Sequence, residues 1–433
     1  MLAALGISQP TFSRTLAALG TEIVRLGRAR SIHYARRDTR RGLPDIPVYR
    51  VGDDAVGTIS PLGTLVPVWP DGFVLQAADG HSLHSEGLPW WLLDMRPQGF
   101  LGRAWAERHA TALGLPSSLS EWSDVHALRC LLVHGHDAVG NLLLGDAART
   151  RHLQSPPPTP IPLPEQPAAF ARLALDASRG DLPGSSAGGE QPKFTAYADT
   201  PDGPRHLLVK FTVPDTHLHI HPNPVTERWR DLLLAEHHAQ ETLTAAGIPA
   251  ARSWLLDHAG QRFLAVERFD RVGALGRRGL FSLAAVEAEF VGNASAQWPV
   301  LVKTLADAGH ITRAAAQVAT VLYAFGTLIG NTDMHHGNLS FTSTEGRPYA
   351  LAPAYDMLPM GFAPRSGGGL PDQLPQATLR PEVQPMVWRQ ALGLAREFQQ
   401  RMADDPRCSA AFHGCLAGLR IHLDTATMQI ARL

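Results

Sequence analysis

The sequence predicts an α+β fold with two lobes and a cleft between them. From residue 168 onward, strand-like runs come first, among them "PKFTAYA", "RHLLVKFT", "SWLLD" and "RFLAVERFD". Long helical patterns follow, such as "TRAAAQVATVLYAFGTLIG" and "MVWRQALGLAREFQQRMAD". A sheet-rich part followed by a helix-rich part is typical of an α+β body. A proline-rich stretch, residues 155–167, separates this body from the chain before it.

The composition of the 433-residue chain, 44% hydrophobic and 18% charged, indicates a globular protein rather than a disordered one. No apolar run approaches the roughly 18–20 residues that span a bilayer, and the N-terminus lacks the pattern of a signal peptide. We therefore expect no membrane association. Only three cysteines occur, Cys130, Cys408 and Cys415, without CxxC spacing, which disfavours a disulfide framework or zinc ribbon and favours the cytoplasm.

The N-terminal segment has the pattern of a partial winged helix-turn-helix. Ser8 is a candidate N-cap, Pro10 suits the first helical turn, and apolar residues then recur at helical spacing. The pattern would present a recognition helix to DNA through Gln9, Thr11, Ser13 and Arg14. The following stretch alternates like a hairpin wing. Little sequence precedes the helix, so we expect an incomplete module; an amphipathic helix of no special role is the alternative.

A local basic stretch is hidden by the net charge of −1. Residues 25–41 carry seven arginines and one acid, Asp38. Such an excess is typical of a phosphate-binding surface, and on the proposed wing Arg28 and Arg30 would contact a DNA backbone. The alternative interpretation is a solvated basic face.

The middle of the chain predicts a mixed domain of short strands and helices. A hairpin is indicated by "VYRVGDDAVGTISPLG" and a helix–turn–strand unit by "DVHALRCLLVHGHDAVGNLLLG". His134 and His136 lie near Asp137 in this unit, but no further ligands stand at metal spacing, which favours a structural turn. The seven prolines of residues 155–167 predict a stiff extended linker. The predicted domain bounds are 1–44, 45–154, 155–167 (the linker), 168–270 and 271–433.

Lys210 lies inside the apolar run "LLVKF", where burial of its ammonium group would require a partner. Glu236, in a helical stretch, is a suitable counter-charge; a solvent-exposed lysine is the alternative. Upstream, "LPGSSAGGEQPKF" contains Gly188 and Gly189, and glycines let a backbone approach phosphates. This stretch matches neither GxGxxG nor the P-loop pattern, so a plain flexible loop explains it equally well.

The stretch "GNTDMHHGNLSF" places Asp333 and Asn338 five positions apart, the D-x-x-x-x-N spacing of a protein-kinase catalytic loop. In such a loop the aspartate accepts the proton of the substrate hydroxyl and the asparagine coordinates Mg²⁺. Asp356 follows an apolar run, in the place of the metal-binding aspartate of a DFG motif, and Mg²⁺ prefers such oxygen ligands. His335 and His336 are adjacent, so they cannot share one helix face, which disfavours a zinc site.

In their order, the motifs "SSAGGEQPKF … LLVKF … AVERFD … GNTDMHHGNLSF … LAPAYDM" resemble those of the HipA-like serine/threonine kinases, the toxins of bacterial toxin–antitoxin modules. The resemblance covers residues 48–433 and is closest to the YjjJ, or HipH, branch. It implies a two-lobed, protein-kinase-like (HipA-type) body, use of ATP and Mg²⁺, and growth inhibition. It also implies a protein substrate, for example an aminoacyl-tRNA synthetase, and a HipB-like antitoxin as partner.

The resemblance further implies a role for individual side chains around the cleft and in the glycine-rich loop. The implied positions are Lys210 on the nucleotide phosphates, Asp333 as catalytic base, Asn338 and Asp356 on the metal, Glu267 and Phe269 at the adenine, and Ser185 or Ser186 as autophosphorylation sites.

Two departures from ordinary protein kinases limit this interpretation. Thr332 stands where those kinases carry an arginine that an activation-loop phosphate engages, so that form of control is not expected. No APE sequence follows Asp356; a Gly- and Pro-rich loop takes its place, which leaves the substrate open. The competing hypothesis is a DNA-binding regulator whose kinase-like body senses a nucleotide or docks a partner. The intact set of predicted catalytic residues favours the enzyme.

Overall fold

The computed structural model describes residues 6, 8–27, 32–179, 191–215, 222–344 and 346–433, and every structural statement below concerns these residues. The strands are β1 Ile23–Leu26, β2 His33–Arg36, β3 Ile46–Val51, β4 Ile59–Val68, β5 Gly72–Ala77, β6 Ser82–Ser85, β7 Leu142–Leu144, β8 Lys193–Thr200, β9 Gly203–Phe211, β10 Ser253–His258, β11 Gln261–Glu267, β12 Arg271–Val272, β13 Gly276–Arg277, β14 Gly279–Ser282, β15 Ser340–Ser343 and β16 Ala350–Leu351. The helices are α1 Gln9–Leu19, α2 Gly99–His109, α3 Asp124–His134, α4 Gly145–Gln154, α5 Gln166–Ser178, α6 Pro224–Ala245, α7 Leu283–Phe290, α8 Trp298–Asp307, α9 Arg313–Ile329, α10 Pro385–Asp404 and α11 His413–Ile430.

The N-terminal segment forms the predicted helix followed by a hairpin. The Ser8 side chain accepts a hydrogen bond from the Thr11 amide at 3.3 Å, which caps α1 as expected. Strands β1 and β2 pair antiparallel. On the hairpin, Val24 and Leu26 are buried against valines of β4 and β5. One face of the predicted wing is therefore covered by the middle domain.

The middle domain is built on a five-stranded antiparallel sheet. The strand order is β6-β5-β4-β3-β7. The predicted hairpin corresponds to β3 and β4, and the predicted helix–turn–strand unit corresponds to α3 and β7. Leucines of α3 pack against buried residues of the sheet, such as Ile46 and Val48.

The smaller lobe of the body is a four-stranded antiparallel sheet in the order β10-β11-β9-β8. Its four strands coincide with the four runs predicted from the sequence. Helix α5 packs on one side of the sheet, and α6 contacts β10 and β11. Helix α5 begins at Gln166, with Pro167 in its first turn, where the missing amide hydrogen is tolerated. The last two residues of the predicted linker therefore belong to this helix.

The larger lobe is helical and contains the largest hydrophobic core. Helices α9, α10 and α11 pack on one another, and α9 also packs on α8. Thr312 caps the start of α9 through the Ala315 amide, and Gly330 ends the helix with a left-handed φ of 79°. The stretch with the kinase-like spacing begins directly after this glycine. No helix in the described ranges is long and apolar enough to cross a membrane.

A buried ion-pair network joins the middle domain to the segment between the lobes. Arg271 bonds Asp270 at 2.5 Å and Asp137 of the middle domain at 2.7 Å. Arg268 bonds Asp270 at 3.1 Å and approaches Asp137 at 3.5 Å. Burial opposes ionisation of Asp270, but the two guanidinium groups outweigh it and lower its pKa to about 2. The predicted structural turn at His136 is thus the site of an interdomain contact.

Trp90 joins the middle domain to the helical lobe. It lies in a 3₁₀ turn, Trp90–Met95, whose Leu92 and Met95 belong to the core of the middle domain. The Trp90 ring itself belongs to the core of the helical lobe, 4.9 Å from the ring of Phe281 and 5.2 Å from that of Phe290. One short turn therefore contributes to two hydrophobic cores.

The network predicts a large stability loss when its central charge is removed. Asp270→Asn leaves Arg268 and Arg271 with less compensation in a buried interface, so the free energy of unfolding should fall by about 3–5 kcal/mol. Asp307→Asn breaks an exposed pair with Lys303, so it should cost below about 1 kcal/mol. Because folding lowers the pKa of Asp270 to about 2, its contribution is present above its unfolded value of 3.8 and is lost as the pH falls toward 2. Urea unfolding at pH 7 and pH 3 measures both effects; equal losses in the two variants would contradict the assignment.

Candidate active site

A cavity of about 370 Å³ lies between the four-stranded sheet and the helical lobe. Its apolar end is lined by side chains such as Leu208, Val266 and Phe269, and its charged end by Lys210 and Asp356. The volume falls within the usual range of small-molecule sites. A cleft with one apolar and one charged end suits a molecule that carries an aromatic ring and a polyanion.

Lys210 is held at the charged end by two carboxylates. Its Nζ atom donates to both oxygens of Glu236, at 2.7 and 2.6 Å, and also to Asp356. Lys210 is 5% exposed and Glu236 is fully buried. The structure therefore confirms a buried lysine paired with Glu236, and it adds Asp356 as a second partner.

Burial and neighbouring charges act in opposite directions on the pKa values of Lys210, Asp356 and Glu236. Burial opposes the charge of Lys210, but Asp356 and Glu236 outweigh it and raise the pKa of the ammonium group. Burial would raise the pKa of Asp356, but Lys210 and Lys193 lower it. For Glu236 burial dominates, and the net direction of its pKa is upward despite Lys210. The balance favours a charged ammonium group at Lys210 and a charged carboxylate at Asp356, and it disfavours the charge of Glu236.

The loop after α9 is ordered by its own asparagines. The Asn331 side chain accepts from the Asp333 amide at 3.0 Å, and Asn338 donates to the Asp333 carbonyl at 2.8 Å through its side-chain nitrogen. The nitrogen of the Asn338 amide is thus engaged within the loop, which leaves its oxygen for another ligand. Asp333 is exposed, and within the described ranges its carboxylate has no hydrogen bond or ion pair. Asp333 is not among the residues that line the cavity.

Asp356 has an unusual backbone conformation. Its φ is +53°, in the left-handed region that residues other than glycine and asparagine seldom adopt. Asn331 donates to the Asp356 carbonyl at 3.1 Å, so one buried asparagine contacts both Asp333 and Asp356. Such strained positions are concentrated at functional sites.

The apolar end of the cavity is bounded by the segment that follows β11. Glu267 lines the cavity and bonds Arg205 at 3.2 Å. The Phe269 ring lies 5.6 Å from that of Tyr355. Glu267 and Phe269 therefore border the end where the resemblance predicts the adenine.

Some predicted site residues lie elsewhere or outside the described residues. The glycine-rich loop and part of the predicted wing are outside them, which covers Ser185, Ser186, Gly188, Gly189, Arg28 and Arg30. On α1, Gln9, Ser13 and Arg14 are exposed and Thr11 is partly exposed. None of these four residues lines the cavity.

Several residues that line the cavity were not predicted as site residues, among them Lys193, His335, Tyr355 and Asp94. Lys193 is 2% exposed and lies opposite Lys210 in the β8–β9 pairing. The run "PKFTAYA" predicts a strand, and the sequence alone does not indicate that Lys193 faces the cavity. Tyr355 precedes Asp356 directly and His335 lies between Asp333 and Asn338, whereas Asp94 is supplied by the middle domain and has no local signal.

Comparison with known proteins agrees with this architecture. Residues 43–153 match the family described as the YjjJ-like toxin middle domain, and residues 185–411 match the HipA-like C-terminal domain. The chain is 42% identical to the toxin YjjJ of Escherichia coli (strain K12) over 410 residues, which is 94% of this chain and 90% of that protein. Among solved structures it is similar in fold to a chain of the HipA, HipB and operator DNA complex of Shewanella oneidensis MR-1, with a TM-score of 0.50 and 15% identity over 89% of this chain and 99% of that one. The chain belongs to the family of HipA-like toxins that includes the toxin YjjJ.

Proposed function

We propose that this protein transfers the terminal phosphoryl group of ATP to a serine or threonine hydroxyl of another protein. The observation that supports the proposal best is the convergence of Lys210, Glu236, Asn338 and Asp356 on one cavity. Asp333 is joined to this set because its carbonyl accepts a hydrogen bond from Asn338. These residues come from distant parts of the chain. A purely structural ion pair would not require a cavity of nucleotide size beside it.

The oxygen ligands at the charged end suit Mg²⁺. The Asn338 oxygen and the Asp356 carboxylate are hard donors, and both belong to residues that line the cavity. When bound, Mg²⁺ would neutralise charge that develops on the phosphates. An ammonium group has three donors, and here two bond Glu236 and one bonds Asp356. With Asp356 on the metal, Lys210 would keep its bonds to Glu236 and direct the third donor to the phosphate oxygens.

In the proposed reaction Asp333 orients the acceptor hydroxyl and takes its proton. The hydroxyl oxygen forms a new bond to the terminal phosphorus, the bond from that phosphorus to the bridging oxygen breaks, and ADP leaves. Phe269 has an amide that donates to no other group of the described chain, so it can donate to a nitrogen of the base. The exposed position of Asp333 admits a protein substrate from solvent.

The finer identity of the substrate rests on the family. The resemblance favours a component of the translation apparatus, such as an aminoacyl-tRNA synthetase, and growth inhibition as the outcome. Autophosphorylation at Ser185 or Ser186 and a HipB-like antitoxin remain predictions of the same kind.

DNA binding is a second candidate function, favoured by the exposed polar residues of the capped helix α1. The HipA structure of Shewanella oneidensis MR-1, to which this chain is similar in fold, was solved as a complex with HipB and operator DNA. We propose that Gln9, Thr11, Ser13 and Arg14 contact base edges or phosphates, while Arg28 and Arg30 contact the backbone.

Removal of the proposed base should separate binding from transfer. Asp333→Asn should lower turnover by roughly 10²–10⁴-fold and leave ATP affinity nearly unchanged, because the base acts only along the reaction path. Phosphate transfer from labelled ATP to proteins of a whole-cell lysate provides the measurement. Asp307→Asn is the matched control, an exposed carboxylate remote from the cleft. Near wild-type transfer by Asp333→Asn would refute the assignment.

A thermal-shift experiment tests the metal site. Mg²⁺ with ATP should raise the melting temperature, since at 100 times Kd a ligand of the folded state stabilises it by about 2.7 kcal/mol. Asp356→Asn should remove the part of the shift that depends on Mg²⁺, because it replaces an anionic ligand. Asparagine tolerates the left-handed backbone of this position, so the fold should persist. An unchanged Mg²⁺ dependence would exclude Asp356 as a ligand.

Salt-dependent gel shifts test the second candidate. Arg14→Ala should change sequence preference on short duplexes. Replacing Arg28 and Arg30 with alanine should instead weaken binding to all duplexes about equally and flatten the slope of affinity against salt. Lys303→Ala removes an equal charge from the helical lobe and should leave both unchanged. Absence of binding to every duplex at low salt would leave α1 as a surface helix.

A further inference from the structure

Asp94 brings a carboxylate of the middle domain into the cleft. Most of the cavity is lined by the two lobes, but Asp94, Gln98 and Val139 come from the middle domain. Asp94 is partly exposed to the cavity and forms no ion pair within the described ranges. The proposed transfer reaction assigns it no role. A carboxylate without a cation in such a place requires an explanation.

Asp94 is held in place by Ser282, which also lines the cavity. Ser282 donates to it twice, from its backbone amide to Oδ2 and from its hydroxyl to Oδ1, each at 2.6 Å. A carboxylate has about four acceptor positions, so roughly two remain available to a ligand. On the other side of the turn, Trp90 is fixed in the core of the helical lobe. The position of the carboxylate is therefore set before any ligand binds.

The residues next to Asp94 connect the apolar end of the cavity with its charged end. Ser282 pairs with Ser340, whose hydroxyl bonds that of Tyr355 at 2.6 Å. The Tyr355 ring contacts Phe269 at the apolar end, and the next residue, Asp356, lies at the charged end. In a nucleotide the ribose connects the base to the phosphates. Asp94, bonded to Ser282, therefore belongs to the part of the cavity wall that a ribose would face.

We propose that Asp94 accepts a hydrogen bond from a ribose hydroxyl, so that the middle domain selects ribonucleotides over deoxyribonucleotides. The proposal rests on the nucleotide binding proposed above. A neutral hydroxyl donor satisfies a partly buried carboxylate without a counter-ion, and dinucleotide-binding folds use a carboxylate on a ribose hydroxyl in the same way. Burial raises the pKa of Asp94, while the two Ser282 bonds oppose this shift.

Calorimetric titration with ATP, 2′-deoxyATP and 3′-deoxyATP in the presence of Mg²⁺ tests the proposal on the full chain. The wild type should bind ATP roughly tenfold or more tightly than one of the two analogues. Asp94→Ala should weaken ATP to the level of that analogue and leave the analogue itself unchanged. Asp146→Asn, which removes a middle-domain carboxylate bonded to Tyr49 outside the cavity, should keep the wild-type ratio.

The ratio of affinities separates contact from distortion. If the loss of the Ser282 bonds only distorted the cavity wall, the binding of all three nucleotides would weaken alike. This result would overturn the proposal. If Asp94→Ala fails to fold, Asp94→Asn retains the shape and one acceptor oxygen, and it should reduce the ratio. Equal affinity of the wild type for ATP and both analogues would also overturn it. If no nucleotide binds to the wild type, the proposed function itself fails together with this inference.

Discussion

The buried ammonium group of Lys210 is the constraint on which the cleft depends. A charge in a strand at 5% exposure is costly unless anions surround it. Glu236 supplies one from α6 and Asp356 supplies another from the loop after β16, so the sheet, a helix and the helical lobe meet at one nitrogen atom. A buried pair of this kind contributes little net stability, but removal of one member leaves an uncompensated charge. The cluster therefore fixes the relative positions of the strand, the helix and the loop more than it adds to the free energy of unfolding.

A second set of charges determines where the middle domain lies. Arg268 and Arg271 follow β11 directly, and both reach Asp137 of that domain. The middle domain thus holds the segment that borders the apolar end of the cavity. The shape of the cleft therefore depends on three parts of the chain: the sheet lobe, the helical lobe and the middle domain.

Much of this architecture could be predicted from the sequence, because it depends on local patterns. The apolar runs, the Ser8 cap and the spacing of Asp333 and Asn338 are short-range signals, and the structure agrees with the elements they predict. Glu236 was found as a partner because a buried lysine demands one. Asp94 could not be found in this way, because its place in the cleft results from the packing of a distant turn. Tyr355 and Lys193 were adjacent to recognised motifs, but only their burial and pairing in the fold reveal that they line the cavity.

The insertion of Trp90 into the helical lobe restricts how the cleft can open. An indole in a packed core cannot shift without leaving a void, so the Trp90 contact favours motion of the middle domain and the helical lobe as one body. The same body holds the segment after β11 through Asp137. These contacts oppose a free swing of the sheet lobe about that segment. We therefore expect molecules to enter and leave the cleft through small, collective openings rather than through a wide separation of the lobes.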